Sequence, residues 1–192
     1  MQRSALTIVL CDRDPGMCVA WKQETGLPAI LGDVFGIEAE AVVSPANSFG
    51  FMDGNVDYRI SERLGWDVQK QLQSDIREMY DGELLVGQAH AVPTNDPVYK
   101  WVISAPTMRV PKNILDPTDV YLAARAAVRC ALRIGASSLI FTGMGTGCGG
   151  VAHRTAAKLM DAGINAALTP PAFPSSWRKA QSEHFLRLRG IA

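Results

Sequence analysis

Short apolar runs alternate along this chain with longer segments whose apolar residues recur every three or four positions. The apolar runs predict buried strands, and the periodic segments predict amphipathic helices. Strands are predicted at residues 5–12, 27–35, 39–47, 87–94, 100–107 and 137–142. Helices are predicted at residues 15–25, 56–65, 66–82, 116–135 and 151–163, with a polar amphipathic helix after residue 174. Strands that alternate with helices indicate an α/β sandwich with a largely parallel or mixed sheet.

The length of 192 residues favours a single domain over residues 1–192. We expect a core at about residues 27–168, an N-terminal β–α extension at 1–26 that adds an edge strand, and a C-terminal helical segment at 172–192. In α/β sheets, ligands bind beyond the carboxyl ends of the strands. Two loops of unusual composition follow predicted strands, and both therefore lie where a ligand site is expected.

Composition restricts the classes of function. The chain has 19 Lys and Arg residues against 19 Asp and Glu, so we expect no bulk nucleic-acid binding. The four cysteines form no C-x-x-C pair, and with three histidines they make no zinc pattern. We expect free thiols in a reducing cytoplasm and no metal or other cofactor. The apolar runs are too short for a membrane span or a secretory signal.

The first unusual loop is FTGMGTGCGGV at residues 141–151, which contains a G-x-G-x-x-G pattern at Gly145, Gly147 and Gly150. A dinucleotide-binding loop also needs an acidic residue about 20 residues further on, where this chain has Pro170. A P-loop is excluded because no Gly-Lys-Ser/Thr sequence follows. The glycines still allow successive amides to face an anion beside a helix N-terminus, which predicts phosphate binding. The alternative is a tight turn that needs glycine for packing only.

The second unusual loop lies within VVSPANSFGFMDGNVDYRI at residues 42–60. Asn47 follows a predicted strand, and Asp57 opens a predicted helix ten residues later, with glycines between them. An amide and a carboxylate brought together by a glycine turn are suited to a polyol such as ribose. The alternative is that Asn47 caps a turn and Asp57 only favours the helix dipole from its first turn.

Together, four motifs resemble the macro domain family, whose members bind ADP-ribose. GDVF (32–35) is similar to the family's Gly-Asp-Ile/Val opening, and SPAN (44–47) stands in place of its Asn-Ala-Ala-Asn. DGNVD (53–57) resembles Gly-Gly-Gly-Val-Asp, and GMGTGCGG (143–150) resembles the second, diphosphate-wrapping loop. The resemblance covers about two-thirds of the chain and implies a three-layer α/β/α sandwich with a mixed, mostly parallel sheet.

The resemblance also implies roles for individual residues. Asp33 would accept from the adenine amino group, Asn47 would contact the distal ribose, and Asp57 would orient or activate a water. The further ligand-binding residues that it implies are Val34, Ala46, Gly54, Asn55, Val56, Gly143, Gly145, Thr146, Gly147, Cys148 and Gly149. Asn55 replaces a family glycine, although asparagine tolerates left-handed backbone. Cys148 and Gly149 stand where many members carry an apolar–aromatic pair that closes over the ligand.

Some members of this family only bind ADP-ribose, and others hydrolyse the ADP-ribosyl–carboxylate ester on proteins. The spacing of Asn47 and Asp57 matches the hydrolytic type, so we expect removal of mono-ADP-ribose. The alternative is a non-catalytic ADP-ribose reader or a nucleotide-metabolite binding module. The implied partner is ADP-ribose or an ADP-ribosylated macromolecule. A third possibility is an interaction module that uses the C-terminal helix. His90 is expected to be structural, whereas His153 is placed for a possible phosphate contact.

Overall fold

The computed structural model describes residues 6–188. Its strands are β1 (Thr7–Asp12), β2 (Ala29–Leu31), β3 (Ala41–Ser44), β4 (His90–Pro93), β5 (Trp101–Ser104) and β6 (Ser138–Phe141). Its helices are α1 (Pro15–Glu24), α2 (Asn55–Leu64), α3 (Asp67–Met79), α4 (Thr118–Ile134), α5 (His153–Leu168) and α6 (Trp177–Leu188). The predictions for residues 1–5 and 189–192 lie outside the described residues.

One sheet runs through the middle of the fold in the order β2-β1-β6-β3-β5-β4. All neighbouring strands are parallel except β4 and β5, which are antiparallel. One hydrophobic cluster packs α1, α4 and α5 on one face of the sheet, and a second packs α2 and α3 on the other. This arrangement confirms the predicted three-layer α/β/α sandwich with a mixed, mostly parallel sheet.

The N-terminal β–α unit is integrated more deeply than the sequence predicts. The expected edge strand, β1, lies between β2 and β6, and β2 forms the edge instead. Met17 and Trp21 of α1 are fully buried in the first hydrophobic cluster. The carboxyl end of β1 therefore lies beside the loops that follow β6 and β2, where a ligand site is expected.

Two predicted elements differ most from the structure, each for an identifiable reason. Only Ala29–Leu31 of the predicted strand at 27–35 is extended, because Asp33 caps a 3₁₀ turn at Val34–Gly36 and accepts from the Phe35 amide at 3.1 Å. Helix α5 continues past Gly163, which we expected to end it. A Cβ at Gly163 would lie 2.5 Å from the carbonyl oxygen of Tyr121, so this glycine allows α4 and α5 to pack closely.

Helix α6 forms where the sequence predicts a C-terminal amphipathic helix, but none of its residues is buried. Its described contact with the rest of the fold includes the Arg187 guanidinium, which lies 4.5 Å from the ring centroid of Tyr121 on α4. Among residues 6–188, no helix has the length and apolar character needed to cross a membrane.

Candidate functional site

A cavity of about 600 Å³ opens beyond the carboxyl ends of β1, β3 and β6. The loops that follow these strands form its walls, together with the turn after β2 and the N-terminus of α2. Every residue that the sequence assigned to the site lines this one cavity: Asp33, Val34, Ala46, Asn47, Gly54, Asn55, Val56, Asp57, Gly143, Gly145, Thr146, Gly147, Cys148 and Gly149. The cavity is large enough for a small-molecule ligand.

Asp57 lies in the first turn of α2, with only 9% of its surface exposed. Its Oδ1 accepts a hydrogen bond of 2.6 Å from the Ser44 hydroxyl at the end of β3. Burial raises the pKa of Asp57 to about 7, although the Ser44 bond acts to lower it and the charge of Asp53 raises it. Within the described residues Oδ2 has no hydrogen-bond partner, so the second oxygen is free to meet a ligand or water in the cavity.

Asn47 uses its side chain to shape its own loop. Its Oδ1 accepts from the amides of Phe49 and Phe51 at 3.1 and 3.3 Å, and its Nδ2 donates to the carbonyl of Phe51 at 2.8 Å. This geometry agrees with the alternative that Asn47 caps a turn. Asn47 also lines the cavity, so its three hydrogen bonds hold the loop that a ligand would contact.

Asn55 replaces a family glycine at the N-terminus of α2, and its φ is +48°. Asparagine adopts this left-handed conformation more readily than most residues, so it is tolerated here in place of glycine. Gly54 is the N-cap of the helix and has no side chain that could bond to the first amides. Among the described residues, the amides of Gly54, Asn55 and Val56 have no acceptor, so they remain available to an anion.

The glycines of the second loop have two roles: some allow the turn to form, and one leaves space in the cavity. Gly145 has a φ of +73°, and a Cβ at Gly149 would overlap the Gly145 carbonyl, so these two glycines are needed by the turn itself. Gly147 is different, because a Cβ there would lie 3.3 Å from Nδ2 of Asn55 across the cavity. In the part of the chain that is described, the amides of Thr146, Gly147 and Cys148 have no acceptor. Both loops thus bring unpaired amides to one cavity.

The N-terminal unit supplies site residues that the sequence did not reveal. Asp12, the last residue of β1, accepts from the Gly143 amide at 2.8 Å and from the Asp14 amide at 2.9 Å, so it anchors the start of the second loop. Cys11, Asp12, Arg13 and Asp14 all line the cavity. The available signal is the pair Asp12 and Asp14 between the first predicted strand and the first predicted helix, which is also typical of a strand end followed by a helix N-cap. Asp14 does cap α1.

Asp33 is held by three donors. Its Oδ1 accepts from the Phe35 amide, and its Oδ2 forms ion pairs with Arg13, at 2.6 Å, and with Arg59 of α2. Burial acts to raise its pKa, but the Phe35 amide and the two guanidiniums hold the pKa of Asp33 below its ordinary value. The carboxylate is therefore ionised and retains acceptor capacity on Oδ1.

The rim of the cavity carries a thiol and an aromatic ring. Cys148 is exposed, and its Sγ lies 3.7 Å from Sδ of Met108. Phe51 is 54% exposed and belongs to the first loop. Cys148 was among the predicted site residues, whereas Phe51 was not, because an aromatic residue beside glycine carries no specific signal.

Neither histidine that we considered lines the cavity. His90 contacts Asp75, with Nε2 2.7 Å from Oδ2, and Tyr80, with Nδ1 3.2 Å from the hydroxyl, which fits the structural role expected for it. His153 opens α5, but its Nε2 lies 3.0 Å from Oδ2 of Asp14, so it contacts the first helix instead of the loop.

Comparison with known families gives this geometry a context. The family model for the macro domain matches residues 43–160, which include both loops and Asp57. The chain belongs to the macro domain family. An uncharacterised protein of Aquifex aeolicus is 31% identical to this macro domain over 134 residues, which are 70% of this chain and 78% of the relative.

Solved structures with the same fold include a mutant Oceanobacillus iheyensis macrodomain with ADPR, at a TM-score of 0.62 and 18% identity. The match covers 81% of this macro domain and 90% of that chain. Thermosipho africanus DarTG in complex with ADP-ribose matches at a TM-score of 0.59 and 21% identity, over 74% of this chain and 38% of its own. The macrodomain of Mycobacterium tuberculosis DarG matches at a TM-score of 0.55 and 16% identity, over 82% and 86% of the two chains.

Proposed function

We propose that this macro domain binds ADP-ribose, either free or attached to a macromolecule, and removes mono-ADP-ribose by hydrolysis. The observation that carries the proposal is the convergence of two loops with unpaired amides and one buried carboxylate, Asp57, on a single cavity. Amides at a helix N-terminus and in a glycine turn bind phosphate oxygens without a cationic side chain. The free cysteines support a cytoplasmic location, which is part of the same proposal.

The ligand would lie along the cavity with its adenine at the turn after β2. There Asp33 Oδ1 accepts from the adenine amino group, and the Val34 amide, which has no acceptor among the described residues, donates to the ring. The diphosphate would occupy the space between the two loops, where Gly147 and Asn55 approach each other. The distal ribose would meet the wall that Asn47 shapes.

Asp57 is suited to activate water at the distal ribose. A general base works best when its pKa is close to the operating pH, and the pKa of Asp57 is about 7. In the proposed step, the oxygen of water bonds to the anomeric carbon while the bond from that carbon to the protein carboxylate breaks. One water proton passes to Asp57 Oδ2, the other stays on the new hydroxyl group, and the modified side chain leaves as a free carboxylate, so that ADP-ribose is released. A positioned general base contributes roughly 10²–10⁴-fold.

The alternative is a reader that binds ADP-ribose without hydrolysing it. The bonds that Asn47 makes to its own loop favour this alternative, because its amide is then not free to fix the distal ribose. Affinity for ADP-ribose is common to both proposals, so only the release of ADP-ribose from a modified protein separates them.

The test combines binding with release. ADP-ribose is titrated into the protein by calorimetry, and the protein is then incubated with a mono-ADP-ribosylated target. We expect binding and release in the wild type, with release lost in Asp57→Ala. Asp53→Ala is the matched comparison, because Asp53 also lines the cavity but has no bond to Ser44 and acts on Asp57 only through its charge. Release should be retained in this variant, with the pKa of Asp57 lowered. Release that survives in Asp57→Ala contradicts the proposed base, and binding without release leaves a reader.

A further inference from the structure

The charges around the cavity are unbalanced for a ligand that carries two phosphates. Five carboxylates line it, those of Asp12, Asp14, Asp33, Asp53 and Asp57. Among residues 6–188, the cationic side chains in the lining are Arg13 and Arg59 alone. Because a diphosphate is repelled by carboxylates, any attraction from side-chain charge must come from these two guanidiniums.

Arg59 extends from α2 to the turn after β2, inside the cavity. It lies on α2, four residues after Asn55, and therefore on the same face of the helix as the residue whose amide is unpaired. Its side chain is 27% exposed and reaches Asp33 at the turn after β2. The side chain thus reaches from the helix that follows the first loop to the proposed adenine position.

Asp33 orients this guanidinium and, among residues 6–188, leaves most of its N–H groups unpaired. Arg59 contacts Oδ2 of Asp33 through Nη2, and Arg13 contacts the same oxygen through its own Nη2. A guanidinium has five N–H donors in a fixed plane, and within the described residues neither arginine makes another hydrogen bond. Each can therefore contact a phosphate while it remains paired to Asp33.

We propose that Arg59, supported by Arg13, is the cationic partner of the adenosine-side phosphate, so that the cavity selects diphosphate esters over uncharged nucleosides by side-chain charge as well as by backbone amides. This inference rests on the proposed function, which it deepens. It also gives the N-terminal unit a part in recognition, because Arg13 follows β1 directly and lies outside residues 43–160.

The experiment compares Arg59→Gln with Arg63→Gln, which removes the same charge one turn later on α2. Arg63 pairs with Asp96 at 2.7 Å and does not line the cavity. Calorimetry with ADP-ribose, inorganic pyrophosphate and adenosine is carried out at low and high salt. We expect Arg59→Gln to weaken ADP-ribose and pyrophosphate binding by about tenfold or more, with a shallower salt dependence and unchanged adenosine binding. Arg63→Gln should bind all three probes like the wild type.

A further variant separates charge from positioning. Asp33→Asn keeps the arginines but removes the carboxylate that neutralises them, so pyrophosphate binding should become tighter. The inference is overturned if Arg59→Gln and Arg63→Gln bind ADP-ribose and pyrophosphate equally. It is also overturned if Arg59→Gln weakens adenosine binding as much as it weakens pyrophosphate binding. Wild-type protein that binds pyrophosphate but not ADP-ribose would refute the proposed function alone, and the arginine comparison would then be decided with pyrophosphate. Wild-type protein that binds neither refutes both.

Discussion

Ser44→Ala removes the one hydrogen bond that the protein makes to the carboxylate of Asp57 within the described residues. The Ser44 hydroxyl is fully buried and donates to Oδ1 at 2.6 Å, so no bulk water replaces it. The bond stabilises the ionised form of Asp57, and its loss leaves burial to raise the pKa without this opposition. We therefore predict that the pKa of Asp57 rises above its wild-type value of about 7.

The magnitude follows from the strength of a hydrogen bond to a charged group, about 1.5–3 kcal/mol. Since one pKa unit corresponds to about 1.4 kcal/mol, the pKa should rise by about one to two units. At pH 7, the ionised fraction of Asp57 would then fall by about 5- to 50-fold, and the rate of ADP-ribose release would fall with it. The rate should recover when the pH is raised above the new pKa.

The assay is the pH dependence of kcat/KM for ADP-ribose release, together with carbon NMR titration of the aspartate carboxyl groups. Ser104→Ala is the matched control, because Ser104 lies on β5 in register with Ser44, is equally buried, and has a hydroxyl without a hydrogen-bond partner. The reasoning is refuted if both variants titrate alike, or if the rate lost in Ser44→Ala does not return at high pH. The NMR titration reports on Ser44 even if the protein proves to be a reader.

Two further predictions concern stability. Asn55→Ala should lower the free energy of unfolding by about 1 kcal/mol, because alanine is strained at a φ of +48°, whereas Asn55→Gly should not; urea denaturation compares them, and equal losses would contradict the argument. Asp57→Asn should raise the free energy of unfolding at pH 8 by about 4 kcal/mol and leave it nearly unchanged at pH 3. In the wild type the pKa of Asp57 is raised from 3.8 in the unfolded chain to about 7 in the folded protein. Protonated Asp57 therefore leaves the folded protein at its full stability below the unfolded pKa, and this stability is lost as the pH rises through the folded pKa of about 7. A variant that gains nothing at pH 8 would show that Asp57 is not desolvated.

The sequence predicts those features of the candidate site that depend on neighbouring residues in the chain. The glycines and the strand and helix patterns identify both loops. Asn55, which replaces a family glycine, has a left-handed backbone that asparagine tolerates. The end of α5 could not be predicted from the sequence, because a glycine that ends a helix and a glycine that allows two helices to pack closely look alike in sequence. Gly163 is of the second kind, since its close neighbour is a carbonyl on α4.

The parts that the sequence missed depend on strand order. Asp12 and Gly143 are bonded across 131 positions of the chain because β1 lies beside β6 in the sheet, and nothing near either residue indicates that neighbour. The pairing of Arg59 with Asp33 likewise requires α2 and the turn after β2 to meet over one cavity. Ser44 was visible as part of a motif, but its bond to Asp57 depends on how α2 enters the fold.

The most direct test of the account is a calorimetric titration of ADP-ribose into the wild type, Gly147→Glu and Gly26→Glu. At Gly147 a side chain would point across the cavity toward Asn55 and place a carboxylate among the amides that would hold the diphosphate. Gly26 has open space around it and does not line the cavity, so the same substitution there is the control. The account predicts that the wild type and Gly26→Glu bind ADP-ribose and that Gly147→Glu does not. Equal affinity in the two variants, or no binding by the wild type at hundreds of micromolar ligand, would contradict it.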